Sequence, residues 1–144
     1  ISLPILYYAD RNDIPLSLAF SLAWIESRYR ITAVNRNARS IDRGLFQLNS
    51  RSFPHLREVD FFDPEINVRE AMKHLRYCLD EGGNEVVALA IYNAGRSRVT
   101  YGGTPRMTLE YIAALMEYRK GLERDFWNFL LEIGEDNSRV VMTN

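Results

Sequence analysis

The chain has 144 residues, of which 47% are hydrophobic and 26% charged, with 8 Gly and 5 Pro. This composition is typical of a globular protein and excludes a disordered, collagenous or coiled-coil chain. The length suits one compact domain, which we expect to span residues 1–144. The net charge of -1 argues against a dedicated nucleic-acid-binding protein. Cys78 is the only cysteine, so neither an intrachain disulfide nor a cysteine-based metal site is predicted.

The near-zero net charge conceals an uneven distribution of basic residues. Sixteen of the eighteen cationic side chains are arginine, and seven arginines lie between Arg28 and Arg57, where Asp42 is the only acid. A solvated basic face is the default interpretation of such a stretch. The longest uncharged run, Ile14 to Ile25, has twelve residues. That is well short of the roughly 20 needed to span a bilayer, so no transmembrane segment is predicted.

Five segments have helical patterns. The first two are Leu3 to Asp10 and a helix capped by Asn12-Asp13, with Pro15 in its first turn, that runs to about Tyr29. The third starts at Asp63-Pro64-Glu65 and stops at Gly82-Gly83, and the fourth is capped by Asn84, runs from Val86 to Asn93 and ends at Gly95. The fifth opens at Thr108, with a break predicted near Gly121 and a frayed terminus after Gly134.

The second predicted helix is apolar nearly all round, which is typical of a helix buried at the centre of a domain. Glu26 lies on this helix directly after Leu22-Ala23-Trp24-Ile25. Burial disfavours an ionised carboxylate and raises its pKa, so a carboxylic acid in this position can keep a proton near neutral pH and give it to a leaving group. The alternative is that Glu26 points to water or pairs with Arg28 or Arg30.

Between Thr32 and Pro54 the sequence is polar, with short alternating apolar stretches that favour loops and a small β-hairpin. This segment contains Asp42, a candidate for the second carboxylate of a glycosidase. In a hairpin beside the Glu26 helix, Gln47 and Asn49 would project toward a sugar from one face, because alternate strand residues share a side. The alternative is that Asp42 neutralises its neighbours Arg39 and Arg43. The sequence therefore predicts a mainly α (α+β) domain with a small β/loop lobe after the second helix.

Four ordered motifs between about Leu16 and Tyr111 resemble those of one protein family. They are Glu26-Ser27-Arg28-Tyr29 with Ala33-Val34-Asn35-Arg36-Asn37, Asp42-x-Gly44-Leu45-Phe46-Gln47-Leu48-Asn49-Ser50, Phe62-Asp63-Pro64-Glu65-Ile66-Asn67, and Ala90-Ile91-Tyr92-Asn93-Ala94-Gly95. These motifs resemble the lytic transglycosylases of bacterial cell walls, especially the small ones associated with secretion machinery. The resemblance implies a lysozyme-like fold, in which a helical domain carries a small β-hairpin lobe.

The resemblance also implies roles for the matching residues. Glu26 matches the single essential acid/base, and Gly44 allows close approach of the strand. The implied substrate-binding residues are Ser27 beside the cleaved bond, Phe46 under the sugar, Gln47, Tyr92 with its hydroxyl near Glu26, Asn93, and Tyr111 as the aromatic after the last motif. For Phe46, Tyr92 and Tyr111, packing in the core is the alternative.

Two departures from the family pattern concern the second acid. Met107 stands where many soluble transglycosylases carry a glutamate. Asp42 matches the second catalytic carboxylate of animal-type lysozymes, whose helix and hairpin motifs the chain also resembles. Those lysozymes are held together by several disulfides, which the lone Cys78 cannot provide.

The resemblance implies cleavage of the β-1,4 bond between N-acetylmuramic acid and N-acetylglucosamine in peptidoglycan, with a 1,6-anhydro product and no metal or organic cofactor. The resemblance implies glycan strands of peptidoglycan as the binding partner and names no particular protein of the secretion machinery. It also implies a location in the periplasm or cell envelope. The stretch from Arg28 to Arg57 would border the glycan cleft and attract its carboxylates. Two alternatives are a hydrolysing muramidase that uses Asp42, and a glycan-binding module without turnover. Because the chain opens with Ile1, we expect a processed or shortened form without its export signal.

Overall fold

The computed structural model describes the backbone of residues 1–142 and the side chains of residues 1–133. Helices dominate, and one small sheet lies between the second and third of them. In chain order the elements are α1 (Ser2–Arg11), α2 (Leu16–Ser27), β1 (Val34–Arg36), β2 (Ile41–Arg43), β3 (Leu48–Asn49), a 3-10 helix (Glu58–Phe62), α3 (Pro64–Gly82), α4 (Glu85–Ala94), α5 (Arg96–Gly102) and α6 (Arg106–Met142). The predicted mainly α fold with a small β lobe is confirmed.

Helix α2 lies at the centre of the molecule. It packs against both α1 and α6, and its residues Leu18, Ala19, Leu22 and Ala23 are completely buried. A helix that contacts partners on several sides needs apolar residues around most of its circumference, which is the pattern that the sequence shows. The predicted burial of this helix is confirmed, and it brings Glu26 into a largely apolar environment.

The β lobe is a three-stranded antiparallel sheet with the order β1-β2-β3. Asp42, in the central strand, stands opposite Asn35 of β1 and Asn49 of β3. Residues 44–47 form the turn from β2 to β3. The hairpin prediction is therefore correct in position, although it included the turn residues among the strand residues.

Gly44 and Asn67 anchor this turn to the helical body. Gly44 has a φ of +79°, and a Cβ at this position would lie 2.0 Å from the carbonyl oxygen of Phe61 and 2.4 Å from Nδ2 of Asn67. The side chain of Asn67 is completely buried. Its Oδ1 accepts from the backbone N–H of Phe46 at 2.9 Å, and its Nδ2 donates to the carbonyl of Phe61 at 2.9 Å. Only glycine fits this close approach.

The helix starts test the predicted caps. The side chain of Asp63 accepts from the N–H of Ile66 at 3.0 Å, and Asn84 Oδ1 accepts from the N–H of Val87 at 3.0 Å. Both predicted caps are confirmed, since each satisfies an amide of the first helical turn.

The predicted cap at Asn12-Asp13 is wrong. Helix α2 starts at Leu16 after Pro15, and Asn12 instead donates from Nδ2 to the carbonyl of Tyr8 at the end of α1, at 2.6 Å. The N-cap position of α2 is taken by Pro15, whose side chain cannot accept a hydrogen bond, and Asp13 lies two residues earlier with a φ of +50°.

Three further boundaries differ from the predictions. Helix α2 ends at Ser27, before Tyr29, and the short helix α5 was not predicted. Helix α6 begins at Arg106 and passes through both Gly121 and Gly134 without a break, reaching Met142. A single glycine inside a helix costs only about 1 kcal/mol, so it does not have to end one.

The side chains after residue 133 and residues 143–144 lie outside the described part. In the described part, no helix combines the length and apolarity needed to cross a membrane.

Candidate active site

A cleft of about 920 Å³ lies where the end of α2, the sheet, α3 and the junction between α4 and α5 meet. Six residues singled out in the sequence line it, namely Glu26, Asp42, Gln47, Asn49, Tyr92 and Asn93. The fold therefore brings the acid of α2, the acid of β2 and the residues that end α4 to one concave surface. Concave sites with a few convergent polar groups are the usual places for ligand binding.

Glu26 is the most perturbed acid of the cleft. Burial raises the pKa of its carboxyl group from about 4.5 to about 7, a hydrogen bond from Tyr111 opposes this rise, and the negative charge of Asp42 adds to it. The alternative that Glu26 pairs with Arg28 or Arg30 is wrong, because the guanidinium of Arg28 lies over the Trp24 ring, 4.6 Å from its centroid, and Arg30 Nε donates to the carbonyl of Ser27. The carboxyl group of Glu26 can therefore keep a proton near neutral pH.

Tyr111 supports Glu26 from helix α6. Its hydroxyl donates to Oε1 of Glu26 at 2.5 Å. Tyr111 is not among the residues that line the described cleft, which argues against the predicted contact with a sugar. A short hydrogen bond to one carboxyl oxygen restricts the rotation of the carboxyl group.

Tyr92 lies in the cleft but uses its hydroxyl elsewhere. Its Oη donates to the backbone carbonyl of Phe46 at 3.1 Å, and its ring packs against the ring of His74 at 5.1 Å between centroids. Burial, and after it the charge of Glu26, raises the pKa of Tyr92 far above its usual value. The hydrogen bond of the Tyr92 hydroxyl ties α4 to the turn of the β lobe.

Asp42 is held by two amides. Asn37 Nδ2 donates to its Oδ2 at 2.7 Å, and Asn49 Nδ2 donates to its Oδ1 at 2.6 Å. The alternative that Asp42 neutralises Arg39 and Arg43 is wrong, because Arg43 pairs with Glu58 at 3.4 Å and no salt bridge joins Asp42 to Arg39. Two neutral donors orient the Asp42 carboxylate without cancelling its charge.

Gln47, Asn49 and Asn93 line the cleft in ways that differ from the sequence prediction. Gln47 lies in the turn, with a φ of +47°, and its Nε2 donates to the carbonyls of Ala33 and Gly44 at 3.2 and 2.9 Å. Gln47 and Asn49 are therefore not alternate residues of one strand. Asn93 Oδ1 accepts from the hydroxyl of Thr108 at 2.8 Å, which joins the end of α4 to the start of α6.

The structure argues against ligand contacts for Ser27 and Phe46. Ser27 is buried, and its hydroxyl donates to the carbonyl of Ala23 one turn earlier in α2, at 3.2 Å. Phe46 is 0% exposed and belongs to the main hydrophobic core. Core packing, the alternative given for Phe46, is what the structure shows, because the anchored turn directs this side chain inward.

Sequence reasoning placed the stretch from Arg28 to Arg57 at the cleft without naming the arginines that line it, and it missed His74 and Tyr77 of α3. Arg30 and Arg51 line the cleft, as does His74, whose pKa burial lowers from 6.5 so that the ring is neutral at neutral pH. His74 and Tyr77 share one face of α3 by their spacing of three residues, and this spacing was the available signal. Among the described side chains, no group of three His, Cys, Asp or Glu residues could hold a metal ion.

The comparisons agree with this geometry. A family model described as the transglycosylase SLT domain matches residues 4–113, whereas no curated protein matches the chain. A similar solved structure is an inactive glutamate-to-glutamine mutant of the lytic transglycosylase Slt from Pseudomonas aeruginosa, with a TM-score of 0.68 and 22% identity over 81% of this chain. The chain spans 23% of the length of that protein. The likeness shows a lysozyme-like fold, and the family match shows that the chain belongs to the family of transglycosylase SLT domains.

Proposed function

We propose that this protein is a peptidoglycan lytic transglycosylase in which Glu26 acts first as a general acid and then as a general base. The observation that carries the proposal is the carboxyl group of Glu26, which faces the cleft with a pKa raised to about 7. An acid with a pKa near the working pH is suited both to give and to take a proton. The match to the transglycosylase SLT domain supports the same reaction class.

In the first step, protonated Glu26 donates to the oxygen that joins N-acetylmuramic acid to N-acetylglucosamine. As this bond breaks, positive charge develops on the anomeric carbon of the muramic acid. The 2-acetamido oxygen of the same sugar or the carboxylate of Asp42 stabilises this charge. The two amides on Asp42 support that role, because they hold its carboxylate in place and leave its charge intact.

In the second step, ionised Glu26 takes the proton from the hydroxyl at carbon 6 of the same muramic acid. The freed oxygen closes on the anomeric carbon and gives the 1,6-anhydro product. Tyr111 supports this step because its hydrogen bond stabilises the ionised form of Glu26. No water is consumed, and the reaction as written uses no metal ion or organic cofactor.

The proposal also assigns the rest of the cleft. Gln47, Asn49, Tyr92 and Asn93 would contact the glycan, since all four line the cleft. Residues 1–144 would act as one domain, with peptidoglycan strands as the partner. Location in the periplasm or cell envelope follows from that substrate.

The test is digestion of purified peptidoglycan followed by mass spectrometry of the released fragments. We expect wild-type protein to release anhydro-muropeptides and Glu26→Gln to release roughly 10³-fold less, because a general acid contributes about 10²–10⁴-fold. Glu117→Gln, an exposed position on α6, is the matched control and should retain wild-type activity. If the Glu26→Gln variant released fragments at the same rate as the wild-type protein, the proposal would be refuted.

A second candidate is a muramidase that hydrolyses the same bond, favoured by one observation. The carboxylate of Asp42 lines the cleft and is close enough to raise the pKa of Glu26, as a second carboxylate in a lysozyme would be. Reducing-end muramic acid as the main product would establish this candidate. A glycan-binding module without turnover is disfavoured, because binding alone does not need an acid with a raised pKa.

A further inference from the structure

Two arginines of the cleft, Arg30 and Arg51, differ from its third arginine, Arg96, in having no acidic partner among the described side chains. Both line the cleft, and among residues 1–133 no carboxylate lies within 4.0 Å of either guanidinium. By contrast, Arg43 pairs with Glu58 at 3.4 Å. The third arginine of the cleft, Arg96, pairs with Glu81 at 2.5 Å.

The backbone around Arg30 directs it into the cleft. Arg28 and Tyr29 adopt left-handed conformations, with φ values of 55° and 59°, which are uncommon for residues other than glycine and concentrate at functional sites. These two residues end α2 sharply, and Arg30 Nε then donates to the carbonyl of Ser27 at 3.1 Å. This bond fixes the base of the guanidinium, so its two terminal nitrogens are presented together.

Arg51 is held next to the second acid of the cleft. Its backbone N–H donates to Oδ1 of Asn49 at 3.0 Å, while Nδ2 of Asn49 donates to Asp42 at 2.6 Å. One asparagine therefore positions both Asp42 and Arg51. The Arg51 guanidinium has no salt-bridge partner among the described side chains and lines the cleft.

The cleft has two arginines that no acid among the described side chains neutralises, Arg30 and Arg51, whereas Arg96 is paired with Glu81. The acids of the cleft are Glu26 and Asp42, and its cations are Arg30, Arg51 and Arg96. A planar guanidinium with two adjacent N–H groups matches the geometry of a carboxylate. In peptidoglycan the carboxylates belong to muramic acid, either to its lactyl group when the peptide has been removed or to the attached peptide. Polymers of N-acetylglucosamine carry none.

We propose that Arg30 and Arg51 bind carboxylates on the side chain of muramic acid, so that the cleft selects acid-bearing peptidoglycan strands over uncharged N-acetylglucosamine polymers. This inference rests on the proposed function, since it names the substrate class that the same cleft takes. It assigns the two arginines to substrate selection, while the chemical step stays with Glu26.

The experiment measures binding in the Glu26→Gln background, where no turnover consumes the ligand. Four probes are compared, namely peptide-bearing strands, strands stripped to the free lactyl carboxylate, peptide-bearing strands with their carboxylates converted to amides, and N-acetylglucosamine oligomers. Arg30→Gln and Arg51→Gln are each added, then combined. Arg39→Gln is the matched control, because Arg39 is an exposed member of the same stretch that does not line the cleft.

We expect each substitution to weaken binding of carboxylate-bearing strands roughly threefold to fivefold and the pair to weaken it about tenfold, as for partly exposed ion pairs. Binding of the amidated strands and of the N-acetylglucosamine oligomers should change less than about twofold. The effect should shrink at about 1 M salt, where the screening length falls to about 3 Å. The probe that responds more strongly, peptide-bearing or stripped, identifies the source of the carboxylate.

Equal weakening of all four probes, or an equal effect of Arg39→Gln, would overturn the inference. Thermal unfolding midpoints of the variants verify that the fold is retained. Failure of the proposed function is a separate result, because it would be seen as absence of fragment release by the protein with Glu26 intact, whatever the arginine variants bind.

Discussion

Glu26 and Asp42 line the same cleft but are held in opposite ways. Glu26 projects from the buried central helix and has one neutral donor, Tyr111, so burial dominates and raises its pKa to about 7. Asp42 projects from a half-exposed strand and accepts from the amides of Asn37 and Asn49. Two chemically similar side chains therefore have different surroundings, and in the proposed reaction these surroundings suit Glu26 to carry the proton.

The difference follows from the elements that carry the two acids. A central helix is surrounded by apolar partners, so its polar residues lose water. A short strand at the protein surface keeps water and polar neighbours, which stabilise a charge. Four substitutions test whether the surroundings of Glu26 and those of Asp42 can be changed independently.

The largest effect is expected from Gly44→Ala, which should displace the lobe that carries Asp42 while leaving α2 in place. The added Cβ would lie 2.0 Å from the Phe61 carbonyl, and we expect a loss of about 4 kcal/mol in the free energy of unfolding. Urea denaturation measures this loss. Gly83→Ala is the control, because Gly83 has a φ of +67° with nothing within 4 Å of a Cβ; it should cost only about 1 kcal/mol. Similar losses for both variants would contradict the steric explanation.

Glu26→Gln should stabilise the protein at high pH. The pKa of Glu26 is raised in the folded protein, from about 4.5 to about 7, so the folded state binds a proton more tightly than the unfolded state. Stability therefore falls as the pH rises from about 4.5 through about 7. Above this range the Gln variant should be more stable than wild type by about 3 kcal/mol, and below pH 4.5 the two should be similar. A pH-independent difference in urea denaturation would show that the pKa of Glu26 is not raised in the folded protein.

Asp42→Asn should lower activity roughly tenfold, or about 1.4 kcal/mol, because the variant no longer stabilises the positive charge that develops on the sugar. Because the charge of Asp42 raises the pKa of Glu26, its removal should also move the alkaline limb of the kcat/KM profile to lower pH. Asp10→Asn, at an exposed position on α1, is the control. A loss as large as that of Glu26→Gln would favour the muramidase instead.

The smallest effect is expected from Tyr111→Phe. The lost hydrogen bond is worth about 1 kcal/mol, so activity should fall roughly fivefold. The hydrogen bond lowers the pKa of Glu26, so the alkaline limb should move to higher pH, opposite to the effect of Asp42→Asn. Tyr118→Phe is the control, because the Tyr118 hydroxyl lies 3.3 Å from that of Tyr29 on the same face between α2 and α6. An unchanged pH profile for Tyr111→Phe would show that Tyr111 does not tune Glu26.

Local signals predicted much of the fold. The all-round apolar pattern of α2 predicted its burial and therefore the unusual environment of Glu26, and Asp63 and Asn84 were recognised as caps because a cap acts within one helical turn. The same rule failed at Asn12, whose side chain bonds backward to Tyr8. In that connection the fold, and not the residue type, chose the partner.

The roles of the aromatic residues could not be obtained from the sequence. Tyr111 and Glu26 are 85 positions apart, and only the packing of α6 on α2 brings the hydroxyl to the carboxyl group. Phe46 is directed into the core because Gly44 and Asn67 anchor its turn. Likewise, the fold decided which arginines of the stretch from Arg28 to Arg57 have an acidic side chain close enough to form a salt bridge.

The sequence by itself determined the helical framework, the buried helix that carries an acid and the motifs that identify the family, because periodicity, caps and motif spacing are properties of neighbouring residues. Tertiary structure alone decided that Tyr111 holds Glu26, that two amides hold Asp42, and that Arg30 and Arg51 face the cleft without an acidic partner among the described side chains. Each of these depends on contacts between distant segments. A pKa or a free charge is set by what surrounds a group in space.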